Sequence, residues 1–181
     1  MYMKNNVRNI TKIVPRLTVR LIKLISYFNH PVYMKYYVQA LKKQGMDITG
    51  MPIYIGATTS FDGKDYSKIH IGDKVVISSD VRLLTHDYSL SRAFVAADIP
   101  MDKEVYMLKD IHIGENSFIG TKSIIMPGTT IGKNVIVGAG AVVRGFVADN
   151  SIVIGNPATV IGNTMEWAKK KWEKGDYFQN K

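Results

Sequence analysis

The chain has 181 residues, 24 Lys or Arg against 15 Asp or Glu, and no cysteine, which removes disulfides, thiolate metal ligands and a cysteine nucleophile together and fits a reducing compartment. Residues 1–50 carry nine basic residues and one acid (+8), residues 51–150 ten and eleven (−1), and residues 151–181 five and three (+2). The net +9 therefore sits in an N-terminal arm, and the body lacks the basic stripe that a nucleic-acid binder spreads over its folded surface, so no nucleic-acid partner is expected.

Residues 6–28, NVRNITKIVPRLTVRLIKLISYF, predict an amphipathic helix. Val7, Ile10, Ile13, Val14, Leu17, Leu21, Leu24, Ile25 and Phe28 make its apolar face, with Arg8, Lys12, Arg16, Arg20 and Lys23 opposite and a kink at Pro15. The early cations interrupt any apolar run, so neither a secretory signal nor a membrane span of ~20 residues is expected, and the reading is cytoplasmic. Two uses suit such a helix: packing within an oligomer, or lying on an anionic membrane surface at the inner face. A second helix is expected from Pro31 to Gln44, with proline in its first turn and Lys42 and Lys43 before Gly45.

From there an interval of six takes over. Ile55 and Phe61 begin it, Ile71, Ile77 and Leu83 continue it, and Ile113, Ile119, Ile125, Ile131, Val137 and Val143 form its longest run before Val147 and Val153 resume it. A helix face recurs near three and four and a strand face near two, so neither explains six. Short strands that turn a corner explain it, three of them closing one triangular coil with the aliphatic residue pointing inward on every face. Stacked coils then pair their backbones in parallel. Glycine often follows the aliphatic residue (Gly56, Gly72, Gly114, Gly120, Gly132, Gly138), where it is expected to relieve the turn. A small or β-branched residue follows four positions on (Ser117, Ser123, Thr129, Val135, Ala141) and is expected inside near the corner.

This pattern resembles the hexapeptide-repeat acyltransferases, and GNPATVIG at 155–162 resembles the end of the repeat domain in sugar and galactoside O-acetyltransferases. The resemblance implies a mainly β fold, a left-handed parallel β-helix with N-terminal helices, one extended loop and a C-terminal helix. The expected divisions are a helical arm at 1–46, the β-helix at 47–162 with the loop 87–110 extruded from it, and the final helix at 163–181. A homotrimer with sites between subunits, and acetyl-coenzyme A as acyl donor, are implied in the same way.

The resemblance also directs attention to His86, where the coil gives way to the long loop, as the general base for transfer of an acetyl group to a hydroxyl. The same segment, HDYS, is similar to sugar O-acetyltransferases of polysaccharide clusters, in which Asp87 would orient substrate or cap the turn. Asp65 matches an aspartate that contacts the acceptor in galactoside enzymes, and turn chemistry explains it equally well. Thr121, Ala139, Arg144 and Gly145 stand at the family's donor-contact positions, with Arg144 suited to a coenzyme phosphate beside Lys169, Lys170 and Lys171. His70 and His112, one residue before inward aliphatics, are expected on the outer face, and His30 in a turn. No metal is expected, since there is no close histidine pair and no cysteine. The implied function is sugar or saccharide O-acetylation by direct transfer. Xenobiotic acetylation and a non-catalytic β-helix scaffold are the other readings.

Overall fold

The computed structural model describes residues 18–63, 66–175 and 177–179. The first part of the 6–28 helix, and Asp65, lie outside the described residues.

Three sheets run along the molecule, made of short parallel strands from successive coils, with one antiparallel strand added at the end of the second. On the first face Ile48, Ile71, Ile113, Ile131 and Val147 stand in register, one above another. Ile55, Ile77, Ile119, Val137 and Val153 do the same on the second face. Phe61, Leu83, Ile125 and Val143 line the third. All but Phe61 are buried, so every sixth residue feeds one core. Burying one such side chain is worth about 1.5–3 kcal/mol. The core is thus a stack of aliphatic ladders held by backbone bonds between coils.

Ser117, Ser123, Thr129, Val135 and Ala141 are buried at the corners, as the repeat requires. The hydroxyls are satisfied by neighbouring carbonyls. Ser123 Oγ donates to Gly120 O at 2.7 Å and Ser117 Oγ to Gly132 O at 2.8 Å. The glycines do something other than expected. Gly114 has no left-handed φ, and a Cβ there would sit 2.5 Å from the carbonyl of Gly132 in the next coil. It is required by close approach of coils, not by turn geometry. The left-handed residues come two positions later, at Lys74, Asp80, Asn116, Lys122, Asn134 and Asn150. Asparagine tolerates that region. On one edge Asn116 donates to Asn134 at 2.8 Å and Asn134 to Asn150 at 2.9 Å, an amide ladder between coils.

Residues 18–25 are helical (α1), and α2 spans His30–Lys43. Asn29 caps α2 by accepting from Val32 N–H. Tyr33, Met34, Tyr37, Val38 and Leu41 are buried against the first coil, and Tyr33 donates to Ile55 O at 2.7 Å. Thus α2 plugs the open end of the prism. The α1 packing departs from the expected amphipathic stripe. Val19, Ile22 and Ile25 face the core, while Leu21, Leu24 and Phe28 are 65%, 57% and 89% exposed. Lys23, expected among the solvent-facing cations, turns inward to Thr59 O at 3.3 Å and over the Tyr37 ring. Burial lowers its pKa. The described contacts, not the mean apolar face, decide which stripe packs. No helix among the described residues is long and apolar enough to cross a membrane.

The excursion between Leu83 and Ile113 is more ordered than an extended loop. It holds α3 (Ser89–Ala96) and a short antiparallel ladder in which His86 pairs Leu108 and Asp87 pairs Met107. Leu90, Ala93 and Ala96 favour helix locally, a signal that the interrupted repeat obscured. Ser91, fully buried, donates to Val105 O at 2.6 Å and accepts from Val105 N–H at 2.8 Å, tying the outgoing helix to the returning chain. At the far end Ser151–Ile154 pairs antiparallel with Thr159–Asn163, closing the last coil. Helix α4 (Thr164–Lys174) follows, capped by Asn163 and ended by left-handed Gly175.

Candidate active site

His86 stands at the corner between the third and first faces, where the excursion leaves the prism. One coil below, the same corner holds Asp62, which follows the strand Ser60–Phe61. Asp62 Oδ2 lies 2.8 Å from His86 Nδ1 and accepts from His86 N–H at 3.3 Å. Asp62 Oδ1 accepts from Thr85 N–H at 2.8 Å and from the Thr85 hydroxyl at 2.6 Å. The carboxylate is thus held by four donors, with its side chain 15% exposed. A carboxylate at Nδ1 keeps the ring proton there and leaves Nε2 as the free lone pair. An imidazole oriented in this way can take a proton from a hydroxyl.

A groove of about 470 Å³ opens in front of the ring, lined by Gly63, Lys68, Thr85, Tyr88, Tyr106 and Leu108. Tyr88 and Tyr106 lie with ring centroids 4.8 Å apart, and each presents itself nearly perpendicular to His86, at 5.6 and 6.2 Å. Both tyrosines are about half-exposed, so their faces are open to a ligand.

Asp87 has a different partner. Its carboxylate accepts from Ser89 N–H at 2.8 Å at the start of α3. That backbone bond, then the Ser89 hydroxyl, holds the Asp87 carboxyl below the usual carboxylate range, and Arg144 adds to this through space. Arg144 and Gly145 occupy the same edge as His86 two coils along, after the strand Val142–Val143. Thr121 and Ala139 lie on a different edge, between the second and third faces. They adjoin one another, since Gly140 N–H donates to Thr121 O at 2.8 Å, and Thr121 Oγ1 donates to Ser79 O at 2.7 Å. The corners at Gly140 and Gly145 are open, with nothing within 4 Å of where a Cβ would be. One chain therefore brings His86, Asp87 and Arg144 to one edge and Thr121 with Ala139 to another.

Sequence reasoning missed Asp62, which reads as a turn residue in FDGKD. Register was the available signal, since Phe61 pairs Leu83 and so sets Asp62 beside the segment that leads into His86. It also missed the pairing of His70 with His112. Both do lie on the outer face, but in register on adjacent strands and stacked at 4.2 Å. His30 stacks on Tyr54 at 5.4 Å.

The bacterial transferase hexapeptide (six repeats) family matches residues 110–145. The chain is 38% identical over 137 residues to protein CapG of Staphylococcus aureus, a match covering 76% of this chain and 77% of CapG. It is 32% identical over 109 residues to WbbJ of Escherichia coli strain K12, named for O-acetyl transfer in lipopolysaccharide biosynthesis, covering 59% of this chain and 55% of WbbJ. The chain thus spans about half the length of several curated relatives, WbbJ among them. Among solved structures, galactoside acetyltransferase in complex with coenzyme A superposes with a TM-score of 0.57 at 21% identity, covering 93% of this chain and 88% of that one. The fold is therefore the left-handed parallel β-helix.

Proposed function

The chain belongs to the bacterial hexapeptide-repeat transferases, and we propose that it transfers an acetyl group from acetyl-coenzyme A to a hydroxyl of a saccharide or glycolipid intermediate, with His86 as general base. The observation that carries this reading is the Asp62–His86 pair at 2.8 Å beside an open groove walled by Tyr88 and Tyr106. His86 Nε2 takes the proton of the acceptor hydroxyl as its oxygen bonds to the acetyl carbon. Asp62 keeps the Nδ1 proton in place and stabilises the imidazolium that forms. The carbon–sulfur bond then breaks, and the proton held on Nε2 passes to the departing thiolate. Acetyl-coenzyme A supplies the acyl group as a thioester.

The two aromatic faces support a sugar acceptor, because a pyranose presents a C–H face that packs on a ring while its hydroxyls point to the groove edge. The saccharide-directed name of WbbJ points the same way. For the donor, the open corner at Gly140 leaves room beside Thr121 and Ala139 on one edge, and on the other edge the open corner at Gly145 leaves Arg144 able to offer a guanidinium to a phosphate. Asp65 as an acceptor contact belongs to this reading. Asp87 serves it by holding the turn that leads into α3, where its carboxylate accepts from Ser89 N–H.

The separation of Thr121 and Ala139 from His86 on two edges of the prism supports a threefold assembly, in which a neighbour brings its donor edge to this chain's base. The exposed stripe of Leu21, Leu24 and Phe28 is available to the same assembly, or to a membrane surface. Light scattering tests the first. A trimer is expected, and a fully active monomer overturns the composite site.

The decisive test is coenzyme A release over a panel of sugars. His86→Ala should lower kcat by ~10²–10⁴ with little change in acetyl-coenzyme A binding. Near-normal turnover by that variant refutes the base. A wild-type chain with no affinity for acetyl-coenzyme A leaves the scaffold reading in its place.

A further inference from the structure

A second cluster of chemistry-bearing side chains lies on the first face of the prism, outside the His86 groove. His70 and His112 occupy the middle positions of Ile69–Ile71 and Ile111–Ile113, which pair in register. Their rings stack at 4.2 Å, within 9° of parallel. Asp110 precedes the second strand, and its Oδ2 lies 3.2 Å from His70 Nε2. Asp47, from the coil below, places Oδ2 3.0 Å from His70 Nδ1. The donor atoms of His70, Asp110 and His112 all lie within 4.8 Å of one another. Asp47, His70 and His112 border a groove of about 360 Å³ that also includes Thr49 and Thr130.

We propose that His70, Asp110 and His112 bind a borderline divalent ion of the zinc class. Three features support this beyond the count of donors. A carboxylate at His70 Nδ1 holds the proton on that nitrogen and leaves Nε2 as a ligand, the arrangement in which outer carboxylates orient metal-binding histidines. The 3.2 Å between Nε2 and Asp110 Oδ2 is the separation of two ligands sharing one ion at bond lengths of roughly 2.0–2.2 Å. The third ligand, His112, is exposed, and its donor atom lies within 4.8 Å of the other two, so turning its ring out of the stack with His70 would complete the set. Two imidazoles with one carboxylate select a zinc-class ion over magnesium or calcium.

Asp110 can accept the ion without abandoning its other partner, because Lys68 is held by the opposite oxygen, Oδ1, at 2.9 Å. The ion would join Ile69–Ile71, on the coil before the excursion, to Ile111–Ile113, the strand on which the chain rejoins the prism. Its role is a clamp on that return and not a step in acyl transfer, so the proposal stands apart from the reading of His86.

The test is titration of the intact chain with Zn²⁺ by calorimetry, and with Zn²⁺ against excess Mg²⁺. One site per chain is expected, with a dissociation constant on the order of micromolar and no competition from Mg²⁺. His112→Ala, at an exposed position, should weaken binding at least ~100-fold, and Asp47→Asn by ~10–100-fold. Saturating Zn²⁺ should raise the thermal midpoint of the wild type by roughly 5–10 °C and leave that of His112→Ala unmoved. Absence of saturable binding below about 1 mM overturns the proposal. So does an isotherm unchanged in both His112→Ala and Asp110→Asn, which would put the ion elsewhere.

Discussion

Replacing Asp62 with asparagine changes one atom at the centre of the candidate site. The carboxylate now serves two clients. Oδ1 accepts from Thr85 twice, at 2.8 and 2.6 Å, and Oδ2 faces His86 Nδ1 at 2.8 Å. Asparagine has a single acceptor oxygen. If that oxygen stays with Thr85, its NH₂ group confronts Nδ1 and forces the ring proton onto Nε2, which removes the base. If the amide flips, Thr85 N–H loses its acceptor and the Thr85 hydroxyl must turn to accept. The first arrangement keeps both Thr85 bonds and sacrifices only the long one from His86 N–H at 3.3 Å, so it is the expected one. The loss in kcat is then close to that of removing the base, roughly 10²–10⁴, or about 2.7–5.5 kcal/mol of transition-state stabilisation. Acetyl-coenzyme A binding should hold within a factor of about 3, because Asp62 touches no candidate donor residue. Replacing a charge-assisted bond costs about 1–2 kcal/mol in stability, so the assay at 25 °C still reports on folded enzyme. The readout is coenzyme A release by Asp62→Asn, His86→Ala and the double variant. Since both residues act through one imidazole, the double variant should be no slower than His86→Ala alone. An Asp62→Asn enzyme within threefold of wild type, or a double variant whose losses multiply, refutes the proposed orientation of His86.

Two further outcomes test the fold. Gly114→Ala puts a Cβ 2.5 Å from the next coil's backbone and should destabilise by about 1–3 kcal/mol, whereas Gly140→Ala, at a left-handed φ but in open space, should cost only about 1 kcal/mol; urea midpoints compare them, and equal losses would return the glycines to a turn role. Burial raises the folded-state pKa of Tyr33 and Tyr37, so their stabilisation is complete below the unfolded value near 10 and is lost as pH rises beyond it. Urea unfolding between pH 8 and about 11.5 should show falling stability above pH ~10, shallower in Tyr33→Phe, whose own baseline drops about 1 kcal/mol with the bond to Ile55 O; a flat alkaline limb in the wild type contradicts the burial of these hydroxyls.

The prism was legible because its constraint is local and periodic. An inward aliphatic every sixth residue and a small corner residue four positions later are conditions that each coil imposes on its own segment, and Ile113 through Val143 satisfy them without interruption. The role of the glycines was legible only in part. Their spacing marked the corners, but whether a missing Cβ serves φ or serves contact depends on the neighbouring coil, which is distant in sequence. The packing of α1 was harder still. Periodicity identified an apolar stripe, and the geometry against coil one chose Val19, Ile22 and Ile25 over Leu21 and Leu24.

The candidate site divides along the same line. His86 could be found because it marks the place where the repeat breaks, a one-dimensional feature. Asp62 and His86 meet because Phe61 pairs Leu83 one coil on, which sets Asp62 beside Leu84 and brings its carboxylate within reach of His86, two residues further along the same corner. His70 and His112 meet although 42 positions separate them, because the excursion is inserted between their strands and adds nothing to the height of the stack. Coil length in this chain varies with every insertion, so a search by fixed spacing, such as for a close histidine pair, overlooks such partners. What determines contact is phase within the coil. Asp62 and His86 share a corner, and His70 and His112 share the middle of a face, and each pair is one rung apart. Reading a repeat chain by phase and rung therefore locates candidate pairs that reading by distance along the sequence does not, and it puts the two clusters on separate elements, with Lys68 lining the His86 groove and binding Asp110.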